Sequence, residues 1–249
     1  MTELTIGEVL RILQHGTMEI EGLLPWSSNY AFLVRACDGP IELGAVYKPE
    51  RGERPLWDFP QGTLCLRERA AFVVSEALDW HIVPPTVLRE AKHGLGSVQL
   101  FIDHDPERHY FTIEGSEALR PQLQRMTLLD ILINNADRKA GHVLIQESEQ
   151  ASEPVRLWGI DHGICFHVDP KLRTVIWEFG GVPIPDEMRR ELEAFRGKLT
   201  DESEELSAEL GKLLSPAEIE ALRRRLDRLI NRATFPQPGA GRHYPWPPV

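Results

Sequence analysis

The sequence has little cysteine, and the three cysteines that it has stand alone. Cys37, Cys65 and Cys165 are odd in number and form no CxxC pair. A disulfide framework needs cysteines in pairs, and a zinc knuckle needs them closely spaced. The pattern argues against both kinds of scaffold and indicates a reducing compartment, so we expect the protein in the cytoplasm.

Long apolar runs and an excess of basic charge are also missing. No segment approaches the roughly 18 apolar residues that cross a bilayer, and the start of the chain lacks the basic and apolar regions of a secretory signal. Asp and Glu number 38 against 28 Lys and Arg, which gives a formal net charge of -10. A nucleic-acid-binding face must be basic to neutralise phosphates. We therefore expect no transmembrane segment and no nucleic-acid partner.

The elements that the sequence does predict give an α+β chain with a strand-rich first part and a helix-rich second part. Alternating apolar residues between turn signals predict strands, and a 3.6-residue period predicts helices. Residues 1–103 form the predicted N-lobe, residues 104–234 the predicted C-lobe, and the Pro/Gly-rich residues 235–249 a tail that drapes or frays. The predicted strands cover 18–24, 30–36, 41–47, 86–90, 96–103, 142–146 and 155–160, and the main predicted helices cover 63–79, 116–134, 185–199, 201–214 and 216–231.

A lysine at the end of a predicted strand is the first candidate functional residue. Lys48 closes the strand Ala-Val-Tyr-Lys, and many such lysines simply extend to solvent. The helix that follows carries Glu68, and a strand-end lysine paired with a glutamate of the next helix is how kinases fix the cation that binds nucleotide phosphates. Glu76 on the same helix is the competing partner.

Two aspartates stand beside predicted strands in the second part. Asp137 lies in a polar loop between an apolar helix and an apolar strand, and Asp161 lies between Gly-Ile and His-Gly. Each could be an ordinary turn residue. However, the hairpin pattern between them can bring both carboxylates to one end, and two carboxylates facing a lysine are the minimum apparatus for Mg-ATP.

Taken in order, the motifs AVYKP, RERAAFVVSEAL with its sequel VPPT, NNADRKAGHVLI and GIDHG resemble those of atypical kinases. The resemblance is to the phosphatidylinositol 3-/4-kinase-like branch and the related HipA-like bacterial kinases, and more narrowly to uncharacterised bacterial proteins of that branch. It covers about Gly22 to Phe166. It implies a two-lobed protein-kinase-like fold, with an antiparallel sheet and one long helix in the N-lobe and a mostly helical C-lobe, and it implies ATP and Mg²⁺ as cofactors.

The resemblance also implies roles for single residues. Lys48 would bind the α- and β-phosphates and Glu68 would orient it, Asp137 would be the catalytic aspartate, and Asp161 would bind Mg²⁺.

The nucleotide contacts follow from the same resemblance. Ser27, Ser28 and Asn29 would form the phosphate-covering turn, and the segment from Gln99 through Phe101 to Asp103 would be the hinge beside adenine.

The sequence departs from the kinase pattern at two places. It has no GxGxxG loop, so Trp-Ser-Ser-Asn must cover the phosphates with backbone and hydroxyl donors. Five residues after Asp137, where such kinases carry a metal-binding asparagine, stands His142. Histidine is a softer and less usual ligand for Mg²⁺, and we treat His142 as a second candidate metal ligand.

Three functions are open at this point. The first is a Mg-ATP-dependent kinase that phosphorylates a hydroxyl of a protein, a lipid headgroup or a small molecule. The second is an ATP-binding pseudokinase that serves as a regulatory module, which His142 favours. The third is a structural α+β protein whose motifs match by chance, and it would scatter Lys48, Asp137 and Asp161 instead of bringing them to one cleft.

A basic run near the end of the chain has an ordinary interpretation. Arg223 to Arg225 lie on the last predicted helix, and we interpret them as a solvated face that Glu220 and Asp227 balance.

Overall fold

The computed structural model describes residues 4–24, 29–147, 154–201 and 205–249. Ser27 and Ser28, two of the predicted phosphate-covering residues, lie outside the described residues. The strands are β1 (Thr17–Leu23), β2 (Phe32–Asp38), β3 (Ile41–Pro49), β4 (Thr86–Ala91), β5 (Gly94–Leu100), β6 (Val143–Gln146) and β7 (Arg156–Gly159). The helices are α1 (Ile6–His15), α2 (Leu64–Ala77), α3 (Tyr110–Ile113), α4 (Arg120–Ile133), α5 (Asp186–Thr200), α6 (Glu205–Leu213) and α7 (Pro216–Arg232).

An antiparallel sheet with the strand order β1-β2-β3-β5-β4 occupies the first part of the chain. Successive side chains of a strand point to opposite faces. On β3, Ala45 and Tyr47 are buried in a core that α1 covers with Val9, Ile12 and Leu13. The alternate residues of β3 therefore face the other side of the sheet, which is the side of the second part of the molecule.

The long helix α2 lies between the sheet and the C-terminal helices. Its side chains are buried on nearly every side, including the charged residues Arg67 and Glu68. Arg67 pairs with Glu218 of α7 at 2.5 Å, and Arg69 pairs with Glu209 of α6. Because α2 contacts both the sheet and these helices, it fixes the two parts relative to each other.

The predicted α+β class is confirmed, with an antiparallel sheet and one long helix first and a mostly helical part after them. One helix differs from its predicted bounds. The helix predicted over 116–134 begins later, since α4 starts at Arg120 with a proline in its first turn, and the short helix α3 lies before the predicted range. Proline has no N–H to donate and favours a helix start, so it sets the beginning of α4. The lobe boundaries at 103/104 and 234/235 stay predictions.

Residues 235–249, which we name the C-terminal segment, lie against the second part of the molecule. Phe235 is buried among the core residues. Thr174 N–H donates to the carbonyl of His243 at 3.0 Å, and Ala140 N–H donates to the carbonyl of Pro248 at 2.8 Å. The tail that the sequence predicts to drape or fray thus follows a defined path to the loop after Asp137.

Among the helices of the described ranges, none is long and apolar enough to cross a membrane.

Candidate active site

Three of the predicted site residues meet in one charged cluster. Lys48 Nζ lies 2.5 Å from Glu68 Oε1 and 3.0 Å from Asp161 Oδ1. The other oxygen of Glu68 accepts the backbone N–H of His162 at 3.0 Å. The competing partner Glu76 binds His81 instead, at 2.9 Å. Glu68 therefore binds both the side chain of Lys48 and the backbone of His162, the residue after Asp161.

The local geometry of β3 and β5 positions Lys48. Lys48 pairs with Ser97 in the register, and Pro49 pairs with Gly96. A Cβ atom at position 96 would lie 2.5 Å from the carbonyl oxygen of Lys48. Only glycine allows the two backbones to come this close, so Gly96 brings the end of β3 against β5.

Asp161 follows β7 in a conformation that few residues adopt. Its φ angle is 61°, in the left-handed region that aspartate tolerates better than most residues. The positive charge of Lys48 holds the pKa of Asp161 far below its ordinary value and outweighs the opposing effect of burial. Burial alone would lower the pKa of Lys48, but the charges of Asp161 and Glu68 outweigh it and raise this pKa. Both groups are therefore charged at neutral pH.

The loop after α4 places Asp137 at the same cleft. Asn134 ends α4 in the left-handed region, and the side-chain oxygen of Asn135 accepts the N–H of Asp137 at 2.9 Å. Burial and the nearby charge of Asp161 together raise the pKa of Asp137 to about 6 against the opposing charge of Lys139. A carboxylate with this pKa is ionised at pH 7 and accepts a proton more readily than an ordinary aspartate.

His142 presents an unprotonated nitrogen to Asp161. Its Nδ1 lies 2.9 Å from the carbonyl oxygen of Asp137, which can only accept, so Nδ1 carries the proton. Burial lowers the pKa of His142 to about 4 although the charge of Asp161 opposes this, so the ring is neutral at pH 7. Its Nε2 lies 3.3 Å from Asp161 Oδ2. His142 Nε2 and Asp161 Oδ2 thus present neighbouring lone pairs, which suit the binding of a cation.

A buried hydrogen-bond network around Arg138, in the loop after α4, was not predicted from the sequence. Arg138 is fully buried, and its Nε donates to Asp130 Oδ2 at 2.9 Å. Its Nη1 donates to the carbonyls of His142 at 2.9 Å and Ile160 at 2.8 Å, and its Nη2 donates to His162 Nε2 at 2.7 Å. One guanidinium thus joins α4, the loop and the segment that carries Asp161. A lone acidic residue within the apolar helix α4, Asp130, was the signal that could have revealed it.

Two cavities meet at Lys48 and Asp161, since both residues line both cavities. One cavity, of about 380 Å³, is mainly apolar and lies under the sheet. Its apolar wall consists of Leu24, Ala31, Val46, Leu100, Ile102 and Leu144. The other, of about 220 Å³, is lined by charged residues that include Glu68 and Asp137. The four charged site residues predicted from the sequence therefore face one cleft.

The remaining described residues that were predicted to contact the nucleotide also line these cavities, and two of them have side chains that make hydrogen bonds within the protein. Gln99 and Phe101 line the apolar cavity. The side-chain amide of Gln99 donates to Thr86 Oγ1 at 2.9 Å, so that amide is engaged inside the protein. Asn29 lines the charged cavity, and its side-chain oxygen accepts the N–H of Arg54 at 2.8 Å.

The residues of the cleft fit a Mg-nucleotide although they form no complete metal cage. Within the described ranges, no three His, Cys, Asp or Glu side chains form a group that could hold a metal ion by themselves. Mg²⁺ usually takes one or two protein carboxylates and fills its remaining positions with water and substrate phosphates. Asp161, half exposed on the cleft, and the lone pair of His142 Nε2 supply such a partial site.

The sequence matches a known protein family. The model of the family described as "Phosphatidylinositol 3- and 4-kinase" matches residues 86–215, a range that includes Asp137 and Asp161. Protein Rv2133c of Mycobacterium tuberculosis is 37% identical over 269 aligned residues, which cover 95% of this chain and 94% of that protein. Phosphatidylinositol 4-kinase gamma 4 of rice, Oryza sativa subsp. japonica, is 31% identical over 120 residues, which cover 42% of this chain and 20% of that protein.

Solved structures of kinases resemble this fold. The Golgi casein kinase with Mn/ADP bound aligns with a TM-score of 0.60 and 16% identity over 92% of this chain and 75% of that one. The hydra Fam20 structure with sugar aligns with a TM-score of 0.62 and 17% identity over 92% of this chain and 88% of that one. The Helicobacter pylori kinase CtkA aligns with a TM-score of 0.54 and 10% identity over 90% of this chain and 94% of that one. At these identities the likeness concerns the fold alone, and it confirms the prediction of a two-lobed kinase-like architecture.

Proposed function

This chain belongs to the phosphatidylinositol 3- and 4-kinase family, and from that premise we propose that it transfers the γ-phosphoryl group of Mg-ATP to a hydroxyl acceptor. One observation carries the proposal. Lys48 contacts Glu68 at 2.5 Å and Asp161 at 3.0 Å where an apolar cavity and a charged cavity meet. An adenine ring suits the first cavity, and the phosphates suit the second.

Nucleotide binding in this proposal depends on a lysine that is already oriented. Glu68 holds Lys48 and is itself held by the N–H of His162, so the ammonium group loses little conformational freedom when it meets the α- and β-phosphates. Gln99 and Phe101 stay the predicted hinge residues, and Ser27, Ser28 and Asn29 stay the predicted phosphate-covering turn.

The metal would be held by Asp161 and by His142 Nε2, together with the nucleotide phosphates. When bound, it neutralises charge on the β- and γ-phosphates. The tautomer of His142, which its bond to the carbonyl of Asp137 fixes, keeps the Nε2 lone pair directed at Asp161. Because this ligand is a nitrogen, we expect the site to accept Mn²⁺ as well as Mg²⁺.

Asp137 is the proposed base for the acceptor. The acceptor hydroxyl gives its proton to Asp137, its oxygen bonds to the γ-phosphorus, and the bond from that phosphorus to the β–γ bridging oxygen breaks to release ADP. The pKa of Asp137, raised to about 6 by burial, suits this transfer near neutral pH. Lys139 Nζ lies 3.7 Å from Asp137 Oδ2.

We favour an active kinase over the pseudokinase alternative because the charged set is complete. Lys48, Glu68, Asp137 and Asp161 all face one cleft, and His142 offers a lone pair where the asparagine of other kinases would stand. A chance match of motifs would not have produced this convergence.

The acceptor classes are a protein, a lipid headgroup or a small molecule, and phosphatidylinositol is the first to test because the rice relative is named for it. The three free cysteines support our prediction of a cytoplasmic location.

The test is a calorimetric titration of ATP into the protein with and without Mg²⁺. We expect saturable binding that Mg²⁺ strengthens and that Lys48→Ala weakens by at least about tenfold, since a hydrogen bond to a charged group contributes roughly 1.5–3 kcal/mol. The exposed Lys212, on α6 and outside both cavities of the cleft, provides the matched control Lys212→Ala, which should bind like wild type. Equal affinity in Lys48→Ala and wild type would contradict the proposal.

A further inference from the structure

A third cavity, of about 250 Å³, lies away from the cleft, between α7 and residues 168–172. The end of α4 contributes Ile131 and Asn134 to its wall, and Thr234 and Pro236 follow α7. Neither Lys48 nor Asp161 reaches it, so it is separate from the proposed nucleotide site.

Four arginines of α7 line this cavity: Arg224, Arg225, Arg228 and Arg232. Spacings of four residues place Arg224, Arg228 and Arg232 along one side of the helix, and Arg225 lies beside them. No Asp or Glu of the described residues lines the cavity. Among the described carboxylates, Glu220 pairs with Arg224 at 3.6 Å, and none pairs with the other three arginines. This concentration of positive charge stands in a chain whose net charge is -10.

Arg225 is held in place by neutral groups. Its Nε donates to the carbonyl of Leu132 at 2.7 Å and its Nη1 to the carbonyl of His167 at 3.2 Å, while its Nη2 has no hydrogen-bond partner among the described residues. Burial and the nearby charges of Arg228 and Arg224 together lower the pKa of Arg225 to about 10. A partly buried charge without an ion-pair partner is costly, and an anion in the adjoining cavity would offset part of that cost.

The basic run interpreted from the sequence as a balanced, solvated face is therefore different in the structure. Arg223 donates to the carbonyl of Leu199 at 3.0 Å, and Asp227 lies 3.8 Å from Arg196 of α5. Asp227 thus pairs away from the run, and the interpretation is wrong for Arg225.

The rest of the cavity wall is apolar. Ile131, Val168, Leu172 and Leu229 form it, with Pro170 at the edge. A phosphate monoester matches the guanidinium groups, which bind its oxygens through charge-assisted hydrogen bonds. The apolar wall suits a ring or a short alkyl group attached to that phosphate, and the volume is close to the lower limit for small-molecule sites.

We propose that this cavity binds a small phosphate monoester, whose phosphate lies among Arg225, Arg228 and Arg232 and whose apolar part lies against Ile131 and Leu229. The proposal does not depend on the proposed kinase activity. It concerns an anion site whose wall shares no residue with the two cavities of the cleft.

The probe is phenyl phosphate, titrated into the full chain by calorimetry at constant ionic strength. We expect saturable 1:1 binding that Arg228→Glu weakens by at least about tenfold, because a repulsive charge replaces a charge-assisted contact. Arg190→Glu, at an exposed arginine of α5 that does not line the cavity, is the matched control and should leave affinity unchanged. Lys48→Ala should also bind normally, since the cleft is not involved.

A second arm identifies the natural source of the phosphate. Vesicles of phosphatidylcholine with and without phosphatidic acid are sedimented with wild type and Arg228→Glu. Phosphatidic-acid-dependent sedimentation that the variant loses would support a lipid source, and soluble binding alone would support a free metabolite. The proposal is overturned if neither probe binds at millimolar concentration, if Arg228→Glu binds like wild type while remaining folded by circular dichroism, or if Lys48→Ala abolishes the binding.

Discussion

Two residues of the cleft have pKa values that differ from those of the same residues at an ordinary surface position. Asp137 has a pKa raised to about 6 by burial, and His142 has a pKa lowered to about 4 by burial. Both residues lie beside Asp161, whose charge Lys48 stabilises. Perturbed pKa values of this kind cluster at functional sites, where the protein accepts a cost in stability for a chemical property.

Asp137→Asn should therefore increase stability at pH 7. Above pH 6 the carboxylate is ionised in the folded and the unfolded state, and only the folded state bears the cost of burying the charge. Below the unfolded pKa of about 3.9 both states are protonated and no cost is present. We expect a gain of about 1 to 3 kcal/mol at pH 7 that disappears as the pH falls from 6 to 4.

Urea unfolding of wild type and Asp137→Asn at pH 7 and pH 4 measures this effect. The exposed Asp103 supplies the control Asp103→Asn, which should change stability little at either pH. A loss of stability in Asp137→Asn at pH 7 would show that the carboxylate has a structural role.

His142→Asn should change the metal preference of nucleotide binding. The wild-type site offers a nitrogen to the cation, and nitrogen ligands favour Mn²⁺ over Mg²⁺ more than amide oxygen does. The ratio of the half-saturating Mg²⁺ and Mn²⁺ concentrations, measured in ATP titrations, should fall in the variant. The exposed His15 on α1 provides the control His15→Asn. The same ratio in all three proteins would remove His142 from the metal site.

At the scale of elements, charged side chains inside the molecule join helices and strands that are distant in sequence. Arg67 joins α2 to α7, and Arg138 joins α4 to the loop and to the segment after β7. Buried ion pairs of this kind contribute little net stability, but removal of one partner leaves the other charge buried and unpaired.

Arg138→Met should reduce the free energy of unfolding by roughly 3–5 kcal/mol, because it leaves Asp130 buried without a counterion. Arg120→Met, which removes a pair with the largely exposed Glu117, should reduce it by less than about 1 kcal/mol. Chemical unfolding of both variants gives the comparison. If Asp130→Leu combined with Arg138→Met is no more stable than Arg138→Met alone, the unpaired charge is not the cause.

The sequence predicted the elements that carry the site and left their packing open. Glu68 and Glu76 lie on one helix, about 12 Å apart along its axis, and spacing alone does not tell which one reaches Lys48. The position of α2 against the sheet decides for Glu68. The path of the C-terminal segment could not be predicted either, because a Pro/Gly-rich stretch has no apolar periodicity from which its contacts follow.

At the scale of the whole molecule, the loop that carries Asp137 is supported from two directions. The Arg138 network supports it from within, and the C-terminal segment supports it from outside through the bonds from Ala140 to Pro248 and from Thr174 to His243. None of residues 235–249 lines either cavity of the cleft. The outer support should therefore be separable from nucleotide binding.

A chain shortened to residue 237 tests this separation. We expect backbone amides at Ala140 and Thr174 to exchange hydrogen faster, because their acceptors His243 and Pro248 are removed. The affinity for Mg-ATP should stay within about twofold of wild type, since the segment lines neither cavity of the cleft. Unchanged exchange at both amides would mean that the segment gives the loop no support.

The contact between Ala140 and Pro248 also has a consequence for synthesis on the ribosome. More than 100 residues separate the loop amide from the carbonyl that accepts its hydrogen bond. At the usual speed of translation, roughly 5 to 20 s pass between the two. Once residue 164 has been added, the growing chain contains every residue that lines the two cavities of the cleft, while the loop that carries Asp137 has only its inner support. The order of translation thus makes the outer support of this loop form after its inner support.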